Sequence, residues 1–520
     1  MGGRSTSAIE EKIVSTETFS KLREKLRAEG KKVVQCHGVF DLLHPGHIGH
    51  LEEAKAQGDT LVVSVTSAPY VNKGPGRPYF TDEQRMKSLA ALSCVDYVLL
   101  SKAVTVIDIM ECIKPDLYVK GSEYENADND VTGNIDKEVE RVRLFGGDVF
   151  YTNGEVFSST KLLNNAFPVM PPNVAEFARE FSQRSSFKKV KETVDLMKDI
   201  KVLVIGDIII DDYIFCVVQG LMSKDRAFSA KYFNEERYLG GSLAIARHLA
   251  NFSKNVTVCG VVGDEPHIHS RILNDLGKDM LLDLQFDPNF HTIIKRRFIE
   301  RHGIRNEYEK LFSINYLNDY EENIRADKTA FYEKLENIVP NFDMVVVTDF
   351  GHGLIDETVM EIVQSKAAFL AVNCQTNSSN YGTNLITKYK RADTFTLDER
   401  ELRLAYSNRS ENPEKLLTRL VKHMNAKAGW VTLGSLGAIG ADDKHKAAKI
   451  PALTLTVQDT VGAGDAYFSL ASLCAYFDVP FEVGSFLGSI AGALAANVLG
   501  NSKAVSKVDV LKFASTLLKF

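Results

Sequence analysis

The stretch Val33–Leu51, VVQCHGVFDLLHPGHIGHL, constrains the fold more than any other part of the chain. Val33–Cys36 is a short apolar run of the kind buried in a parallel strand. Gly38 breaks it, and Pro45 is pre-set for the first turn of a helix. Ile48, Leu51 and Ala54 would form the inner face of that helix. His44 and His47 lie three apart and therefore share one face of its first turn. The N–H groups and dipole of that turn point the same way and favour an anion. Two imidazoles there suit the triphosphate of a nucleotide. They would neutralise charge growing on the attacked phosphorus without forming a covalent bond. The other readings are a helix-capping turn with two surface histidines, or two ligands of a metal site lacking its third.

At 520 residues the chain predicts two or three domains. Its net charge of −6 offers no basic surface to nucleic acid or anionic lipid. No stretch combines the length and apolarity of a membrane span. The nearest, Gly484–Gly500, is rich in Gly, Ala and Ser and reads as a tightly packed internal helix. The N-terminus carries charges and no apolar core, so no secretory signal is expected. Seven scattered cysteines, without a C-x-x-C, predict reduced thiols in a cytoplasmic enzyme.

Residues 1–15 read as loosely attached. Thr16–Glu29 predicts a helix with Phe19, Leu22 and Leu26 on one face and Gly30 at its end. Strands are expected at Val33–Cys36, Thr60–Val65, Tyr97–Leu100, Leu117–Val119 and Asp148–Tyr151, with helices between them. This α/β alternation implies a doubly wound parallel sheet with its ligand at the carboxyl ends of the strands. The loop Asn72–Pro78, NKGPGRP, reads as a solvated turn or as the carrier of Lys73 onto phosphates. Arg85 begins a helix beside it. Val119–Ser122, VKGS, could place backbone on a base or sugar. Ser158–Thr160 precedes a helix, where hydroxyls and N–H groups could hold phosphate together.

In order, GVFDLLHPGH, GRPYFTDEQRM, ALSCVDYV, KPDLYVKGSEY and SSTKLL resemble the HxGH cytidylyltransferase-like nucleotidyltransferases. Within them, the pattern is most similar to the heptose-1-phosphate adenylyltransferase half of the bifunctional heptose-phosphate kinase/adenylyltransferases, over residues 31–167. The resemblance implies catalytic roles for His44, His47 and Lys73. It implies nucleotide contacts at Gly38, Phe40, Arg85, Lys120, Ser159 and Thr160. Related cytidylyltransferases share much of the pattern, so ATP and CTP both stand as donors.

Residues 168–198 read as a linker, and 1–30 as an N-terminal extension and helix. A second domain, 199–520, opens with VLVIGDIIIDDY: a strand, a glycine, then Asp207 and Asp211. Asp211 could accept hydrogen bonds from sugar hydroxyls. Gly240-Gly241 at a helix start lets backbone approach a small ligand closely. Ile294–Arg305, IKRRFIERHGIR, is densely basic, either a solvated strand face or a site for a substrate phosphate. Further strands are expected at Met344–Thr348, Phe369–Val372 and Gly429–Leu433. In DTVGAGD, Asp459–Asp465, glycines frame the start of an apolar helix. N–H groups at Gly462, Ala463 and Gly464 can gather the charge of a phosphoryl group in flight. Asp465 is placed to take a proton from an alcohol. No G-x-x-x-x-G-K-[ST] is present, which argues against a P-loop kinase.

DTVGAGDAYF resembles the C-terminal signature of ribokinase-like (pfkB-type) carbohydrate kinases. Val431–Gly437, VTLGSLG, is similar to their nucleotide-side loop, which implies contacts at Thr432, Gly434 and Gly437. Residues 200–515 again look like the heptose-phosphate kinases. That resemblance implies a substrate site at Asp207, Asp211, Gly240, Gly241, Lys295, Arg297 and Arg301. It implies Mg²⁺ near Glu401, bridging the phosphates of ATP. It also implies a ribokinase-like fold with a small β-lid, Ala227–Tyr238 with Thr292–Phe298, through which two chains pair as a homodimer. The order of the two domains is the reverse of the usual heptose enzyme.

The sequence departs from the resembling pattern at four places. Ala244 stands where GGAAN has its Asn, and Asn373-Cys374-Gln375-Thr376 replaces D-P-K-G. Asp398 replaces the Asn of P-N-x-x-E, and His352 replaces the Lys of S-D-Y-x-K-G. Such losses near a substrate should change the substrate or weaken the reaction. The leading expectation is a bifunctional enzyme of nucleotide-sugar synthesis acting on a sugar phosphate and a nucleoside triphosphate, with no nucleic-acid or membrane partner. One rival makes the second domain a non-catalytic module that binds a sugar or nucleotide, or only dimerises. Another makes the first domain a polyol-phosphate cytidylyltransferase.

Overall fold

The computed structural model describes residues 8–71, 73–74, 76–103, 105–122, 135–152, 164, 170–266, 272, 274, 276, 280–302, 307–318, 328–444, 446–454 and 457–519. The chain forms two compact units, Met1–Gln183 with Leu511–Phe520, and Arg184–Val510. The division falls inside the expected linker, at the end of the helix Pro172–Arg184. The return of the chain was not foreseen. The last helix, Lys507–Leu517, begins in the second unit, and from Leu511 onward it belongs to the first.

Among the described residues the first unit holds β1 (Val33–Gly38), β2 (Thr60–Thr66), β3 (Tyr97–Ser101), β4 (Leu117–Gly121) and β5 (Asp148–Thr152). All pair in parallel, in the order β3-β2-β1-β4-β5. Each lies within two residues of its expected place. The strands are apolar because both faces of the sheet are covered. Val34, Cys36, Val63 and Val119 pack with Leu51 and Ala54 on one side. Val33, Val62, Leu99 and Tyr118 pack with Phe19 and Leu26 on the other. Those last two come from the helix Thr16–Ala28, whose N-cap Ser15 accepts from Thr18 N. Residues 8–15 are not loose, contrary to expectation. Ala8–Lys12 is helical, and Val14 N bonds Val98 O at 3.1 Å beside the edge strand. Residues 1–7 lie outside the described ones. Strand order reverses between β1 and β4, which makes the crevice beyond their carboxyl ends the ligand position of such a sheet.

The second unit has a main sheet and a lid. The main sheet contains β6 (Lys201–Gly206), β9 (Asn255–Val262), β10 (Leu281–Phe286), β13 (Met344–Asp349), β14 (Leu370–Cys374), β15 (Thr394–Asp398), β16 (Ala428–Thr432), β17 (Ala438–Asp442) and β18 (Ala447–Ile450). Its order is β10-β9-β6-β13-β14-β15-β16-β17-β18, and only β17 runs against the others, pairing antiparallel with β16 and β18. The lid contains β7 (Ile208–Leu221), β8 (Phe228–Gly240), β11 (Ile293–His302) and β12 (Glu307–Tyr316), ordered β12-β11-β7-β8. The expected lid segments are thus present, enlarged by β7 and β12. The Gly484–Gly500 region is a packed helix, Phe481–Ala495. A Cβ on Gly484 would stand 2.8 Å from the buried Trp430 ring.

Candidate active sites

In the first unit, the helix Pro45–Lys55 starts beyond the carboxyl end of β1, at the switch point. His44 is its N-cap, with extended backbone (φ −142°, ψ 168°), and its side chain does not cap the helix. The ring instead stacks on His47, centroids 3.8 Å apart at 25°. Phe40 meets His47 edge-on at 5.4 Å from a left-handed backbone, φ 49°. Gly38 makes room for it, since a Cβ there would lie 3.1 Å from the Phe40 ring.

Burial lowers the pKa of His44. Burial, with His44, His50 and Lys73 nearby, brings His47 down to about 4. Both imidazoles are therefore neutral at pH 7 before an anion arrives. Charge neutralisation by the pair, as expected from sequence, requires proton uptake on binding. Burial and neighbouring cations also lower Lys73, to about 8. A triphosphate raises all three, so nucleotide binding should take up protons above about pH 4 through His47 and near pH 8 through Lys73. Calorimetry in buffers of different ionisation enthalpy measures this uptake. Binding without uptake across that range would contradict the placement of these groups on phosphate.

The other expected residues divide. Arg85 is fully buried and serves as a brace rather than a phosphate ligand. Its guanidinium donates to Val39 O (2.7 Å), Thr66 O (2.9 Å) and Phe80 O (3.2 Å), and to Asp82. A cation whose donors are spent on backbone carbonyls has little left for a ligand. Lys120, one residue before the end of β4, pairs with Glu138 at 2.8 Å. Ser159 and Thr160 lie outside the described residues. Sequence reasoning missed Asp41, the Asp of G-x-F-D. It accepts from Tyr79 N (2.8 Å) and Phe80 N (3.0 Å) and reaches Arg77 at 3.4 Å, tying the histidine turn to the Lys73 loop.

In the second unit, a cavity of about 820 Å³ opens where DTVGAGD passes into the helix Ala463–Tyr476. Gly462 is the N-cap, at φ 81°, and no side chain caps the turn. A Cβ on Gly462 would strike Asn501, whereas Gly464 faces open space. The first-turn N–H groups are thus left to a ligand. Thr432, Gly434, Gly437, Ala463 and Asp465 line this cavity on the expected nucleotide side. Asp211, Gly241, Lys295 and Arg297 line it on the expected substrate side.

Asp465 is buried, and Gln375 Nε2 donates to its Oδ1 at 2.8 Å. Burial pushes its pKa up to about 6, against the pull of that amide. Gln375 therefore touches the Asp465 carboxylate directly. Asp211 pairs with Arg297, and Gly240 leaves space for that carboxylate.

Asp207 does not line the cavity, contrary to expectation. Its Oδ2 accepts from Phe350 N (3.2 Å) and His352 N (3.3 Å), so it shapes the turn after β13. The side chain of Arg301 lies outside the described residues. Glu401 lines the cavity, but its Oε1 accepts from Thr376 N and its Oε2 from Asp398 N, each at 2.8 Å. Among the described residues no group of three or more His, Cys, Asp or Glu is placed to hold a metal. With both oxygens accepting from backbone N–H groups, Glu401 braces the turn between Thr376 and Asp398.

The pattern of the pfkB family carbohydrate kinases matches residues 199–475, more than half of the chain. The chain belongs to the pfkB family of carbohydrate kinases. A cytidylyltransferase-like pattern precedes it, over residues 36–165. Bifunctional protein HldE of Alcanivorax borkumensis is 41% identical over 130 residues, which are 24% of this chain and 25% of that protein. HldE of Helicobacter pylori strain G27 is also 41% identical over 130 residues, 25% of this chain and 28% of that one. The chain thus spans about a quarter of the length of these curated relatives. Among solved structures, phosphofructokinase-2 from Escherichia coli superposes on 61% of this pfkB chain and 99% of its own, at TM-score 0.47 and 16% identity. Among the described residues no helix of this pfkB protein is long and apolar enough to cross a membrane.

Proposed function

We propose that the protein is a bifunctional enzyme of nucleotide-sugar synthesis, with its two domains in the order opposite to that of the heptose enzymes. The second unit transfers the γ-phosphoryl group of ATP to a hydroxyl of a heptose-like sugar or sugar phosphate. Asp465 accepts the hydroxyl proton as the O–P bond forms, and ADP leaves. The N–H groups of the GAGD turn hold the transferring group, Lys295 and Arg297 hold an anionic substituent of the sugar, and Mg²⁺ carried by ATP screens phosphate charge. Asn373 lines the cavity, and its Oδ1 is buried without a hydrogen-bond partner among the described residues, so a small shift would let it accept from a sugar hydroxyl.

The first unit joins a sugar 1-phosphate to ATP or CTP. A phosphate oxygen attacks the α-phosphorus and pyrophosphate leaves. The nucleophile is already ionised, so the site needs orientation and placed charge more than a base. His44, His47 and Lys73 supply these. The chain acts in the cytoplasm as a homodimer paired through the lid, where Phe228, Phe233 and Phe312 are exposed.

The observation that carries this reading is the presence, in one chain, of a stacked histidine pair at one helix start and a buried carboxylate at another. The test measures pyrophosphate release with ATP against CTP over sugar 1-phosphates, and ADP release over heptoses, heptose phosphates, pentoses and polyols. Pyrophosphate is expected with one of the two nucleotides and ADP with at least one sugar. If no sugar raises ADP formation above the level of Asp465→Asn, the second unit is a binding or dimerisation module. Pyrophosphate with CTP and a polyol phosphate alone would make the first unit a polyol-phosphate cytidylyltransferase.

A further inference from the structure

The Lys73 loop is held by a segment far away in sequence. Gly74, at φ 91°, abuts Phe513, and a Cβ on Gly74 would lie 2.3 Å from that ring. Asn164 Nδ2 donates to Thr516 O at 2.9 Å and Lys519 O at 2.8 Å. These carbonyls stand at the end of the helix Lys507–Leu517, where an α-helix leaves its last acceptors without internal donors. The Oδ1 of Asn164 accepts from Arg77 at 2.6 Å, and Arg77 reaches Asp41. Contacts therefore run unbroken from the G-x-F-D turn, through the loop, to Leu511–Lys519. Phe513, Ala514, Thr516 and Leu517 are buried. Lys512 and Lys519 lie close enough to Lys73 to act on its charge, and Lys512 acts on His37 as well.

All of these residues belong to the first unit. A segment that served only to cover apolar surface would have no need to cap its helix with the residue that also holds the loop arginine. Nor would it need to bring cations toward a lysine already crowded by Arg77. Cations so placed repel one another in the ligand-free protein. That repulsion is relieved by a polyanion, and a nucleoside triphosphate is the polyanion this site is read to bind.

We propose that Leu511–Lys519 completes the nucleotidyl-transfer site. Phe513 and Asn164 are positioning residues for the Lys73 loop, and Lys512 and Lys519 add cations facing the triphosphate. The proposal rests on the nucleotidyltransferase reading of the first unit. It makes that reaction depend on a stretch of sequence that follows the kinase domain.

The test uses the full chain with Lys512→Gln/Lys519→Gln, Lys519→Arg, Phe513→Ala and Phe513→Leu, each checked for its melting temperature. The double Gln variant should raise the KM and Kd of the nucleotide about tenfold or more, with kcat within about twofold. Lys519→Arg should stay near wild type. Lys73 is faced by Asp41, His47, Arg77, Lys512 and Lys519. Removing two of these cations should therefore move the alkaline limb of kcat/KM upward from about pH 8. Phe513→Ala should lower kcat about tenfold or more, with partial recovery in Phe513→Leu. Active wild type with unchanged KM and pH limb in the double variant would overturn the proposal alone. Wild type that neither binds nucleotide nor releases pyrophosphate would overturn the reading beneath it and this proposal together.

Discussion

Asp465→Asn should lower sugar phosphorylation by roughly 10²–10⁴-fold and leave pyrophosphate release at the wild-type rate. The substitution keeps the size of the side chain and removes only its ability to take a proton. Asp465 sits in the first turn of the helix Ala463–Tyr476, inside the cavity that Lys295 and Arg297 also line. Burial holds its pKa at about 6, close to working pH, where a general base is most useful. The ionised form is the active one. Phosphorylation should therefore fall as pH drops through about 6, and Asp465→Asn should lack that limb. Gln375 should matter through the same atom. Its amide donates to Asp465 and favours the ionised carboxylate, so Gln375→Ala should move the limb to higher pH. Full kinase activity in Asp465→Asn would mean that the hydroxyl proton leaves by another route.

His47→Ala should lower pyrophosphate release by roughly 10²–10³-fold, with phosphorylation of the sugar unchanged. The ring does three things that Ala cannot. It stacks on His44, receives the edge of Phe40 and offers a donor at the helix start. His47→Gln keeps a donor but not the stack and should recover part of the loss. His44→Ala should behave similarly, because the two rings face each other at 3.8 Å. A loss of both activities in folded His47→Ala protein would contradict the separation of the sites.

Much of the architecture was legible because buried parallel strands are apolar on both faces. VVQC, TLVVSV and MVVVT could hardly be anything else. The histidine turn and the GAGD turn were legible for a different reason. Each is a local strand-to-helix or loop-to-helix passage whose chemistry is written in neighbouring residues. What a sequence does not show is whether a polar side chain is already spent. Arg85 and Glu401 both sit in motif positions, yet one is consumed by backbone carbonyls and the other by backbone N–H groups. Asp207 likewise serves a turn and not the cavity. Protonation was equally hidden, since the pKa of His47 is lowered chiefly by burial, which motif spacing does not report. The tie between Asn164 and Lys519 joins positions 355 apart and leaves no periodic or local trace.

One polypeptide is expected to handle phosphate at two independent sites. The decisive measurement supplies wild type, His47→Ala and Asp465→Asn with α-labelled or γ-labelled nucleotide, together with the accepted sugars. His47→Ala should pass the γ-label to the sugar and fail to build the α-labelled sugar nucleotide, and Asp465→Asn should do the reverse. Wild type that transfers only one of the two labels to any sugar, or either variant losing both while still folded, would contradict that expectation.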